Sequence, residues 1–152
     1  MKKFSFSLQF LLDNRKRRED ILKRKLAQII AREKREREIL KMLEERMIFY
    51  QNRLKEEEMK KRLKVALAIL YYAYIEKLNG QVTEQKERIK QVSIEKEKLR
   101  GELIRVSRER RLLERLREKR WEEFVELTSR AQQKFIDEGA IIRFYHKVKK
   151  QI

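Results

Sequence analysis

LKRKLAQIIAREKREREILKMLEERMIFYQNRL, residues 22–54, carries its apolar side chains at alternating steps of four and three. The steps fall on Leu22, Leu26, Ile29, Glu33, Glu36, Leu40, Leu43, Met47, Tyr50 and Leu54, and eight of these ten are apolar. That spacing is the seam of a coiled coil, since it keeps one stripe of a helix facing a partner helix. A second seam, within IEKLNGQVTEQKERIKQVSIEKEKLRGELIRV (75–106), runs through Ile75, Leu78, Val82, Gln85, Ile89, Val92, Lys96, Leu99, Leu103 and Val106. The two seams are out of phase across 56–64. A turn between two paired helices leaves such a break, and so does a stutter in one helix.

Two turn positions compete: the phase break near Lys61, and the Asn79-Gly80 pair favoured by local turn chemistry. In an antiparallel hairpin the numbers of facing residues add to a constant, which separates the two. A constant near 121 or 122 sets Leu22 opposite Leu99, Ile29 opposite Val92, Leu40 opposite Val82, Leu43 opposite Leu78, Met47 opposite Ile75, Tyr50 opposite Tyr71 and Leu54 opposite Leu67, so seven of ten seam positions meet an apolar partner. A turn at Asn79-Gly80 sets Leu43 against Arg117, Leu40 against Arg120 and Tyr50 against Arg110, and only three of ten match. The sequence therefore predicts an all-α fold, a long antiparallel two-helix coiled-coil hairpin with its turn near 59–64. It reads as one domain over 1–152, with a first helix over 4–58 and a longer second helix over 64–148. The same register pairs Leu8 with Leu113, Arg15 with Val106 and Phe4 with the neighbourhood of Arg117. The stretch beyond Arg120 then overhangs at the C-terminus with an apolar stripe to cover.

Composition agrees. Of 152 residues, 44% are charged and 41% apolar, with no Pro, no Cys and three Gly, a balance suited to long helices and too poor in turn residues for an all-β fold. The absence of Cys excludes disulfide scaffolds and thiol chemistry and leaves the cytoplasm as the default compartment. The opening MKKFSFSLQFLL lacks a cleavage site after its short apolar stretch and reads as the beginning of the first helix. The longest uncharged run, Val65 to Ile75, is too short to cross a membrane.

The 42 basic and 25 acidic residues give a net charge of +17, divided as +6 over 1–58, +4 over 59–81, +6 over 82–120 and +1 over 121–152. Two dense basic runs, Arg15 to Arg18 and Arg108 to Arg120, face each other in the predicted register. They form a collar expected to repel itself until an acidic partner neutralises it.

No catalytic constellation is visible, so the chain reads as nonenzymatic and without cofactor or metal. The single His146 has no companion ligands, and Gly80, Gly101 and Gly139 are too far apart to cradle a phosphate. Glu56-Glu57-Glu58 and Glu122-Glu123 sit among basic residues at helical spacing, as a solvated face does. A pI near 10.2 fits a nucleic-acid-binding module. Acidic residues interleaved along both arms, from Glu33 to Glu45 and from Glu95 to Glu114, would intrude on phosphate contacts and make nucleic acid the less favoured partner.

Three stretches together, FSFSLQFLLDNRKRRED, YYAYIEKLNGQVTEQ and LLERLREKRWEEF with QQKFIDEGAIIRF, resemble the FliJ family of flagellar type III export proteins. The resemblance runs through nearly the whole chain in order. It implies a hairpin similar to the central stalk of rotary ATP synthases, bound at the centre of the hexameric flagellar export ATPase, promoting its assembly and activity. It further implies links to the cytoplasmic domain of the export gate and to export chaperones, with membrane contact only through peripheral association with the export apparatus at the inner face of the cell membrane. On the family's pattern, Phe4, Phe6, Leu8, Leu11, Arg15, Arg17, Arg18, Arg117, Arg120, Trp121 and Phe124 form the ATPase-facing end, and Tyr50, Tyr74 and Leu78 the gate-facing surface. Relatives commonly place Gly after the Met equivalent to Met59, where this chain has Lys60-Lys61-Arg62-Leu63-Lys64. The alternatives are a basic coiled-coil module for nucleic acid and a stalk subunit of another secretion or rotary ATPase.

Overall fold

In a computed structural model, which describes residues 3–61 and 64–150, the chain forms two long helices packed as a hairpin: α1 (Gln9–Met59, 51 residues) and α2 (Val65–Lys149, 85 residues). The chain divides into two units, one comprising Met1–Arg18 with Arg105–Ile152 and the other Glu19–Ile104.

The Glu19–Ile104 unit is a helical hairpin in its own right. All ten seam positions expected on α1, and all nine expected on α2 from Ile75 to Leu103, are buried or half-buried, while the residues between them are mostly exposed. Leu22 and Leu78 are each 1% exposed. Registration lies a few residues above the arithmetic: Gln85 with Glu36 and Tyr50 with Tyr71, rings 6.4 Å apart, add to 121, but Tyr50 stands closer to Tyr74, at 4.7 Å, a pair that adds to 124, and Lys96 bonds Glu33, a pair that adds to 129. α2 runs through Asn79-Gly80 without a break, and a Cβ on Gly80 would meet nothing within 4 Å. Turn propensity there loses to the burial of Leu78 and Val82 on either side.

The four polar residues that interrupt the two seams are one another's partners. Lys96 Nζ donates to Glu33 Oε2 at 2.6 Å, and Gln85 Nε2 donates to the Glu36 backbone oxygen at 2.9 Å and to its carboxylate at 2.5 Å. Arg37 completes the first group, donating to Glu33 Oε1 at 2.9 Å. The hydrogen bond from Lys96, followed by that from Arg37, holds the Glu33 carboxyl below the usual carboxylate range, against the opposing effect of burial.

At the turn, α1 closes at Met59. Lys60 N–H donates to the Glu56 carbonyl and Lys61 N–H to the Glu58 carbonyl, each at 3.1 Å, and Lys61 takes a left-handed φ of 51°. This is the position after a helix end where glycine usually stands. The expected turn extends into Arg62 and Leu63, which lie outside the described residues. Ala68 N–H donating to the Lys64 carbonyl at 3.0 Å opens α2. A side chain in left-handed backbone costs about 1 kcal/mol. Lys61→Gly is therefore expected to stabilise the chain by up to about that amount and Lys61→Val to destabilise it, as thermal unfolding followed by circular dichroism would record.

In the other unit, Leu12 is fully buried and Val106 nearly so. The first helix does not begin at Phe4 as its sequence suggested. Residues 3–6 are irregular, Ser7-Leu8 turn, and Gln9 N–H donates to the Phe6 carbonyl at 3.0 Å. Irregular chain advances up to about 3.3 Å per residue against 1.5 Å in a helix, so it reaches further for the same number of residues. From residue 129 to 150 every α2 residue except Gly139 is exposed.

Candidate functional site

Two groups of side chains match the positions expected to meet partners, and each lies within one unit. The first is aromatic. The Phe4 ring stands edge-on to Trp121 at 5.1 Å and tilted against Phe124 at 5.6 Å, while Trp121 and Phe124 stack at 5.9 Å. Expectation placed Phe4 near Arg117 and left everything beyond Arg120 uncovered. Phe4 does stand near Arg117 and reaches on to Trp121 and Phe124, so the uncovered stretch begins after Phe124. Phe4 and Trp121 also line a pocket of about 310 Å³ with Arg117 and Glu118. Phe6 is half-buried, Leu8 and Leu11 are exposed, and Arg120 Nη1 donates to Glu123 at 3.3 Å.

The basic collar does not stand unneutralised. Arg15 Nε lies 2.6 Å from Glu109, Lys16 Nζ 3.6 Å from Glu114, and Arg110 Nη1 2.7 Å from the same Glu114. Counting charge by segment missed this, because Glu109 and Glu114 are spaced to lie between the cations of both helices. Arg17 on α1 and Arg117 on α2 are exposed.

The second group lies near the turn. Tyr50 stands edge-on to Tyr74 at 4.7 Å, and with Tyr71, Leu67 and Leu70 the two line a shallow pocket of about 240 Å³. Tyr50 and Tyr74 are half-buried, so each offers an edge. Leu78, one turn along, is 1% exposed and offers no surface; its seam position turns it into the hairpin. Sequence reasoning did not single out Val65, Ile69 and Leu70, exposed in the first turns of α2 beside Tyr72. Their signal is the uncharged run from Val65 to Ile75.

Among the described residues, no group of three or more His, Cys, Asp or Glu side chains could hold a metal ion, and no helix is long and apolar enough to cross a membrane. The family model described as flagellar FliJ protein matches residues 4–149. Neither the curated proteins nor the solved structures compared with the chain give a match.

Proposed function

Because the chain belongs to the FliJ family of flagellar proteins, we propose that it acts as a nonenzymatic stalk and adaptor in flagellar protein export. In this reading the unit carrying Phe4, Trp121 and Phe124 enters the centre of the hexameric export ATPase and promotes its assembly and activity. The Tyr50–Tyr74 edge meets the cytoplasmic domain of the export gate, with buried Leu78 supporting the hairpin there, and export chaperones bind along the hairpin. The protein is then cytoplasmic and peripheral at the inner face of the cell membrane.

The observation that supports the ATPase end is the uncovered apolar stretch of α2. Leu127, Phe135, Ile136, Ile141, Ile142, Phe144 and Tyr145 are 57–79% exposed. Large apolar side chains exposed in that number point to an interaction site. Exposed Arg17 and Arg117, in the same unit, add positive charge suited to an acidic opening in a partner.

The test is ATP hydrolysis by the cognate export ATPase with and without this protein. Stimulation is expected, and absence of both binding and stimulation would overturn the reading. Reversing Arg15 would set two carboxylates side by side at Glu109, so the surface variant to use is Arg17→Glu with Arg117→Glu. It is expected to weaken ATPase binding about tenfold or more at low salt with helicity unchanged. Unaltered binding would show these arginines to be solvated surface.

A further inference from the structure

The tip of the Glu19–Ile104 hairpin departs from the pattern of the rest of that unit. Elsewhere in it the faces turned away from the seam are mostly charged, with single apolar residues such as Ile30 and Met42 among them. In the first turns of α2 they are apolar: Val65 is 77% exposed, Ile69 62%, Leu70 66% and Tyr72 58%. Val65, Ile69 and Tyr72 follow at helical spacing on one face, while Ala66, Leu70 and Ala73 occupy the next, and all six are exposed. A helix apolar all round is ordinarily buried.

Charge at the tip is equally one-sided. Between Glu58 and Glu76 the sequence holds no acidic residue, and Lys60, Lys61 and Lys64 are exposed. Glu56 and Glu57 lie a turn back along α1, and Glu58 accepts a hydrogen bond from the Tyr72 hydroxyl at 2.9 Å. Among the described residues of the tip, the lysines are therefore the outermost charges.

We propose that this tip docks directly on an anionic lipid surface, with Val65, Ile69, Leu70 and Tyr72 entering the headgroup boundary and Lys60, Lys61 and Lys64 meeting lipid phosphates. Apolar side chains beside lysines, with a tyrosine carrying a polar hydroxyl, are the composition of a peripheral membrane contact. A protein groove would be matched by one stripe, whereas apolar groups on successive faces of a helix tip are accommodated by a fluid interface on every side. Lysine stems cover the apolar boundary while their ammonium groups reach the phosphates. No span is involved, since no described helix is long and apolar enough to cross a membrane. The contact does not depend on the ATPase or gate partners proposed above.

The experiment is co-sedimentation of the full chain with phosphatidylcholine vesicles, with or without phosphatidylglycerol as about a third of the lipid. Binding is expected only with phosphatidylglycerol. A lysine near an anionic surface is worth about fivefold in partitioning, so Lys60→Gln/Lys61→Gln/Lys64→Gln should weaken binding about 100-fold. Lys25→Gln/Lys34→Gln/Lys119→Gln, which removes the same charge elsewhere, should change it by only a few-fold. Ile69→Ser/Leu70→Ser keeps the charge and alters only exposed positions, so its thermal unfolding should match the parent while vesicle binding falls at least tenfold. Equal losses from the two lysine sets would overturn the proposal in favour of diffuse charge attraction. Full binding by the serine variant, or no binding to phosphatidylglycerol vesicles by the parent chain, would overturn it too, the latter leaving the tip to a protein partner.

Discussion

Leu78→Ala is expected to destabilise the hairpin by about 3 kcal/mol, because it empties a site 1% exposed between helices with little other core to collapse into it. Leu78→Met, which nearly conserves volume, should cost less than about 1.5 kcal/mol. Thermal or urea unfolding followed at the helical band measures both. The pair also separates two roles at a position expected on family grounds to face the export gate. If Leu78 acts only by holding Tyr74 and Tyr50 in place, gate binding follows stability and Leu78→Met binds as the parent does. A stable Leu78→Ala that fails to bind the gate would instead mean that the hairpin opens there to present the residue.

The second large effect belongs to the polar layer. Lys96→Met is expected to destabilise by about 2 kcal/mol at pH 7, since it strands the Glu33 carboxylate, 9% exposed in its side chain, with Arg37 as its remaining cation. Glu33 titrates below the usual carboxylate range when folded, so the stability it contributes is fully present above its unfolded pKa of about 4.3. That contribution is lost as pH falls through the lower folded value. The parent should therefore lose stability on acidification below about pH 4 more steeply than Lys96→Met, and the two curves should converge in acid. Glu33→Leu/Lys96→Leu should be as stable as the parent or more so, because a well-packed apolar pair escapes the desolvation of two charges. Its cost should appear in registration. Cysteines at 29 and 92 should crosslink readily in the parent and less cleanly in the double variant, where apolar seams slide past one another more easily.

The hairpin was legible because coiled-coil pairing depends on period, and period is a property of sequence alone. Leu22 to Leu54 and Ile75 to Val106 declare which face is buried, and the sum rule then locates the turn against the local preference of Asn79-Gly80. Of the polar exceptions only Glu36 and Gln85 could have been paired in advance, since their numbers add to 121, whereas those of Glu33 and Lys96 add to 129 and the two meet through the reach of their side chains. The candidate sites were less legible. Arg15 reads as one member of a cationic run, and only side-chain reach across the helix pair reveals that Glu109 answers it. Phe4 reads as the start of a helix, and its contact with Trp121 and Phe124 depends on the irregular backbone of residues 3–6, whose advance per residue the periodicity does not report.

The sequence by itself determined two long helices, their antiparallel pairing, a turn close to Lys61 and membership of an export-protein family, all through patterns that repeat over many residues and so outweigh any local preference. Tertiary structure alone decided what happens where repetition stops. It gave Lys61 a left-handed backbone, carried Phe4 onto Trp121, threaded Glu109 and Glu114 through the arginines, and left Val65, Ile69, Leu70 and Tyr72 uncovered at the tip. These outcomes turn on single side chains in three dimensions, where distance and solvent exposure, rather than spacing along the chain, set which interaction prevails.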